Sequence, residues 1–107
     1  MTIRDDLLTE LNHETQFQKS HTRSQYFSHV NDYLDFVKRR DPSYEKWKDR
    51  EMVYGFIEKL KKAGKSQSTI NFIIRGPVGC LFRFSGLLLP VKLPPLDPAV
   101  YSGDESL

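Results

Sequence analysis

Residues 22–40 read TRSQYFSHVNDYLDFVKRR, and this stretch decides the fold class. Tyr26, Val30, Tyr33, Leu34 and Val37 recur at spacings of three and four, which lays one apolar stripe along an α-helix. Thr22 offers a hydroxyl to cap the start. Lys38, Arg39 and Arg40 suit the negative end of the helix dipole, and Asp41-Pro42 stops the helix. Upstream, Ile3, Leu7, Leu8 and Leu11 indicate a turn or two of amphipathic helix that packs on the domain or frays, followed by a polar stretch; residues 1–18 are treated as an N-terminal arm.

Downstream, a second helix is expected from Asp49 as N-cap through Val53, Phe56, Ile57 and Leu60 to Lys62, with Gly64 placed to end it in a left-handed conformation. Gly55 weakens its centre slightly. Residues 43–48 form an ordered connector with Trp47 as its anchor. A third periodic segment begins at Ser66 and keeps Ile70, Ile73, Ile74, Pro77, Leu81, Phe84 and Leu88 in helical rhythm. Gly76-Pro77 interrupts it, giving either one kinked helix or two helices meeting near residues 75–78, of which two is the expectation. Pro90, Pro94, Pro95 and Pro98 mark an extended, mostly unpacked tail over residues 90–107. The fold class is all-α: a compact orthogonal bundle of four to five short helices over residues 19–89. Its core is Tyr26, Val30, Leu34, Val37, Phe56, Ile57, Leu60, Ile70, Ile74, Leu81 and Phe84.

A chain of 107 residues, 38% of them hydrophobic, holds one domain. No apolar run approaches the roughly 20 residues of a membrane span, and the acidic start Met1-Thr2-Ile3-Arg4-Asp5-Asp6 lacks a signal-peptide core. The expectation is a soluble, cytoplasmic protein with no membrane partner. The formal net charge is only +2, but it is unevenly distributed. Residues 19–83 hold 14 Lys plus Arg against 7 Asp plus Glu, a net +7, whereas residues 1–18 set one Arg against four acids. That middle attracts a polyanion if several cations share a face; if they do not, they merely solvate helix surfaces.

Catalytic chemistry is not legible. His13, His21 and His29 are scattered, and the single Cys80 lies in an apolar segment and reads as a small core residue. Gly76-Pro77-Val78-Gly79 lacks the spacing and the Lys-Ser/Thr of a phosphate loop. No metal and no cofactor is implied. What stands out is Lys65-Ser66-Gln67-Ser68-Thr69-Ile70-Asn71, short polar donors at a helix start just after the basic run Lys59, Lys61, Lys62, with Arg75 and Arg83 further along. Such a start binds phosphate, or Ser66 simply caps it.

Two stretches together resemble a known family. Ser20-His21-Thr22-Arg23-Ser24-Gln25-Tyr26 with Val30, Leu34 and Phe36 looks like the opening helix of the SAM-like, core-binding N-terminal domain of tyrosine recombinases, the phage integrases. Lys65-Ser66-Gln67-Ser68-Thr69-Ile70-Asn71 followed by Leu81-Phe82-Arg83-Phe84 and Gly86 is similar to that domain's third and fourth helices. The likeness covers residues 19–98; Gly76-Pro77-Val78-Gly79 departs from the family's uninterrupted helix. It implies half of a clamp on double-stranded DNA. Thr22, Arg23, Ser24, Lys65, Gln67, Ser68, Thr69, Asn71, Arg75 and Arg83 would face phosphates and the major groove. It also implies partners in the protein's own catalytic domain and in other recombinase protomers, for DNA integration or other site-specific recombination. Catalysis in the family belongs to a further domain, so this stretch alone is expected not to be an enzyme. The competing reading is a helical protein-interaction module using the leucines at residues 87–89; a small hydrolase has almost nothing to support it.

Overall fold

A computed structural model describes residues 2–94; Met1 and residues 95–107 of the expected tail lie outside the described residues. The helices are α1 (Ile3–Glu14), α2 (Ser20–Arg40), α3 (Arg50–Lys62), α4 (Gln67–Ile73) and α5 (Gly79–Phe84). A 3₁₀ turn, Glu45–Lys48, precedes α3, and a π turn, Ile74–Val78, joins α4 to α5. There is no strand among the described residues, and the protein is a small all-α bundle.

The segment treated as an arm is a full helix. Thr2 Oγ1 accepts from the Asp5 backbone N–H at 3.1 Å while the Asp5 carboxylate accepts from the Thr2 N–H at 3.3 Å, a reciprocal cap that starts α1. Leu7 and Leu11, one turn apart, enter the core, and Leu11 is fully buried. Arg4 fastens the helix by pairing with Asp35 at 2.9 Å and donating to the Tyr44 hydroxyl at 3.0 Å and to Asn31 Oδ1 at 2.9 Å.

α2 begins two residues before Thr22, and no side chain caps it from Lys19, so Thr22 lies inside the first turn rather than at its cap. Val30, Tyr33, Leu34 and Val37 are fully buried. Asp41 ends the helix and organises the next turn, because its carboxylate accepts from the Ser43 hydroxyl (2.6 Å) and the Lys46 N–H (2.8 Å). Those bonds, the Ser43 hydroxyl first, hold its carboxyl below the usual range. Trp47 is the buried anchor expected, packed on Phe82 with ring centroids 5.0 Å apart, and its carbonyl accepts from the Tyr33 hydroxyl. Asp49 precedes α3, though its side chain makes no capping bond. α3 ends as expected at Gly64 (φ +83°), with the Lys65 N–H on the Leu60 carbonyl and the Gly64 N–H on that of Lys61.

The break expected at Gly76-Pro77 is absent. Backbone angles at Ile73, Ile74, Val78 and Gly79 all stay right-handed helical, so the chain runs through as one helical path with a single wide turn. A proline ring collides with the carbonyl four residues earlier in an α-helix; a π turn moves that carbonyl away and preserves the path. The wider turn also shifts the buried register. Phe82 is fully buried and Phe84 only half-buried, as is Tyr26, whereas the other expected core residues are buried. Beyond Gly86 the chain is extended, as the prolines require, yet it is packed over residues 89–94: Val91 is buried, and Leu89 and Leu93 lie against the core. The Asn71 amide donates to the Pro94 carbonyl at 3.2 Å.

Candidate nucleic-acid interface

The ten residues singled out in the sequence have separate fates. Lys65, two residues before α4, and Ser68, Thr69 and Arg75 along α4 and its π turn are all exposed; Ser68, Thr69 and Arg75 lie four, three and three residues from Phe72, which gathers them on one broad edge with Lys65 at its start. Phe72, 45% exposed, lies among them, its ring edge-on to Tyr26 and His29 of α2 at centroid distances of 6.2 and 6.1 Å. Thr22, one turn before Tyr26, lies on that same flank of α2 and is half-buried. Within the edge, Ser66 caps α4 by accepting from the Thr69 N–H at 3.2 Å and donating to the Thr69 hydroxyl at 3.0 Å. Lys65, Ser68 and Arg75 make no side-chain hydrogen bond or ion pair among the described residues, leaving them free for a ligand.

The others are engaged elsewhere. Asn71 is buried; it accepts from the Gln67 amide at 2.8 Å and holds Pro94, so this pair fastens the C-terminal segment. Arg83 reaches back to the Arg75 carbonyl at 3.3 Å and braces the π turn. Arg23 is on the opposite flank of α2, where it donates to Asn12 and, at 3.4 Å, to the Thr15 hydroxyl while lying over the Phe27 ring. Ser24 is exposed between the two flanks.

Sequence reasoning missed a second cationic surface. α2 and α3 run antiparallel, with Gly55 beside Phe36 and Arg40 at one level and Lys65 near enough to His29 at the other to oppose its protonation. Between them lies a groove of about 680 Å³ lined by Arg39, Arg40, Lys59 and Lys62, with Glu58 its one acid. Its floor is the Phe36 ring, with the Arg40 guanidinium 4.3 Å and the Lys59 ammonium 6.0 Å from the centroid. Gly55 keeps the floor open: a Cβ there would lie 3.1 Å from the Phe36 ring. The signal was present in the sequence. By sequence alone Arg39 and Arg40 are dipole partners and Lys59 and Lys62 part of a basic run, whereas the antiparallel packing of two long helices makes them one surface.

His29 lies where α2 meets the α4 edge, beside Phe72. Burial, with Lys65 adding to it and Asp32 opposing it, holds its imidazole below the usual range. Burial pushes the Cys80 thiol up, away from the thiolate that nucleophilic chemistry needs. Among the described residues no group of three or more His, Cys, Asp or Glu is placed to hold a metal ion, and no helix is long and apolar enough to cross a membrane. Compared with protein-family models, curated proteins and solved structures, the chain matches none.

Proposed function

We propose that this chain is the DNA-binding, core-binding domain of a site-specific tyrosine recombinase. It would grip double-stranded DNA alongside a catalytic domain and other protomers, without catalytic activity of its own and in the cytoplasm. The observation that supports this reading best is the exposed edge of Lys65, Ser68, Thr69 and Arg75, which gathers cationic and hydroxyl groups at the start and along one side of α4 and its π turn. The sequence likeness over residues 19–98 supplies the family, and the all-α bundle is compatible with it.

A fluorescence-anisotropy titration of a labelled mixed-sequence duplex tests the binding. With about five phosphates neutralised, log affinity falls against log salt with a slope of about −4 to −5. Lys65→Ala with Thr69→Ala weakens binding to all sequences alike, and a slope near zero rejects the reading. For the family assignment, the reading frame beyond Leu107 is decisive, because an Arg…His-x-x-Arg…Tyr pattern is required there. One observation favours an interaction module instead: Leu88 is 93% exposed beside exposed Leu87. On that reading, affinity for a partner helix is insensitive to salt and lost on Leu88→Asp.

A further inference from the structure

We infer that the α2–α3 groove is itself a binding site for the phosphate backbone of duplex DNA and supplies most of the domain's electrostatic affinity; this rests on the DNA-binding reading above. Arg39, Arg40, Lys59 and Lys62 all line it and are all exposed, and none makes an ion pair among the described residues. The one acid there, Glu58, has Lys61 at 3.5 Å. Four cations held this close repel one another, a cost that a bound polyanion removes. Two of them are already positioned, since Arg40 and Lys59 rest on the Phe36 ring and so lose less side-chain freedom on binding.

The nature of the lining selects the partner. An amphipathic helix docks through apolar anchors as well as charge. Here the only large apolar side chain among the described lining residues, Phe36, is 6% exposed and lies under two cations, so the groove's remaining apolar surface comes mainly from the stems of its own charged side chains. That combination suits a uniformly charged backbone read without regard to sequence. Lys62 of the groove and Lys65 at the start of the α4 edge are exposed and three residues apart in the chain.

The experiment compares the full chain with R39Q/R40Q/K59Q/K62Q, and with R39Q/K62Q, which spares the two cations packed on Phe36, each first checked by circular dichroism and thermal melting. Binding is titrated against a labelled mixed-sequence duplex, and also against poly-glutamate and phosphatidylserine vesicles. The slope is expected to shrink by about 3.6 in the fourfold variant and about 1.8 in the double one, with affinity at low salt down by roughly tenfold or more in the former. Arg40→Lys retains the slope that Arg40→Gln reduces. A wild-type chain that binds the duplex steeply with salt while both variants keep that slope overturns the groove and leaves the DNA-binding reading intact. Loss of vesicle or poly-glutamate binding without loss of duplex binding overturns it too. A wild-type chain with no salt-dependent duplex binding overturns both.

Discussion

The two flanks of α2 use the same residue types for opposite purposes. On the flank facing α1, Arg4 is divided among Asp35, Tyr44 and Asn31, and Arg23 between Asn12 and Thr15, so each guanidinium is a tie between helices. On the flank facing α3, Arg39, Arg40, Lys59 and Lys62 line an open groove with no acceptor except Glu58. The difference is not in the cations but in what the neighbouring helix offers. α1 brings Asn12 and Thr15 to Arg23, and its own Arg4 reaches Asp35 and Asn31 of α2; α3 brings more lysines. A planar fork facing several acceptors becomes structural, while a cation facing cations is left for something outside the molecule.

The contrast breaks most sharply at Leu11. If α1 is an integral part of the bundle, truncating this fully buried side chain costs about 3 kcal/mol in urea or thermal unfolding. A detachable arm would lose almost nothing. Next in size is Arg4→Ala, expected to destabilise by about 1–2 kcal/mol because it strands Asn31 and the Tyr44 hydroxyl together. It should leave the salt slope of duplex binding untouched. Arg39→Gln should do the reverse, with little change in melting temperature and a slope smaller by about 0.9. If both variants moved stability alone, the two flanks would not differ in kind.

Much of this organisation was legible before any coordinates. The stripe from Val30 to Val37, the stop at Asp41-Pro42, the Trp47 anchor and the left-handed Gly64 each follow from local rules that the neighbours do not override. Two features escaped because they depend on partners distant in sequence. α1 reads in the sequence as a turn or two of helix in an arm, packed or frayed, because its apolar stripe is narrow, yet Thr2 and Asp5 spell a cap, and Leu11 needs only a core to enter. At Gly76-Pro77 packing outweighs the local rule, since burial of Ile73, Ile74 and Val78 on both sides of the proline holds the path helical at the expense of one wide turn. Of the candidate site, the α4 edge was readable from spacing alone. The engagement of Asn71 and Arg83 was not, because nothing local shows that Pro94 or the Arg75 carbonyl will lie within reach.

Asn71 provides a smaller test of that point. Asn71→Ala leaves the Pro94 carbonyl and the Gln67 amide without their protein partner, and it is expected to cost about 1 kcal/mol. The cost should appear as faster hydrogen exchange confined to the segment around Val91 to Leu93. If the residue instead faced DNA, the same substitution would lower affinity and leave exchange unchanged.

The smallest effect concerns His29, where α2 meets the α4 edge. Because the folded chain holds the His29 imidazole below its unfolded value of 6.5, the unfolded chain takes up the proton first as pH falls. The stability contribution is therefore complete above pH 6.5 and is lost as pH drops through the lower folded value. Melting temperatures at pH 7.5 and 5.5 should differ more for the wild type than for His29→Gln. An NMR titration of the ring then sharpens the geometry. Removing the nearby positive charge with Lys65→Gln should raise the His29 midpoint, and Asp32→Asn should lower it further. A midpoint indifferent to Lys65 would remove Lys65 from the neighbourhood of α2 and leave the α4 edge without the cation at its start.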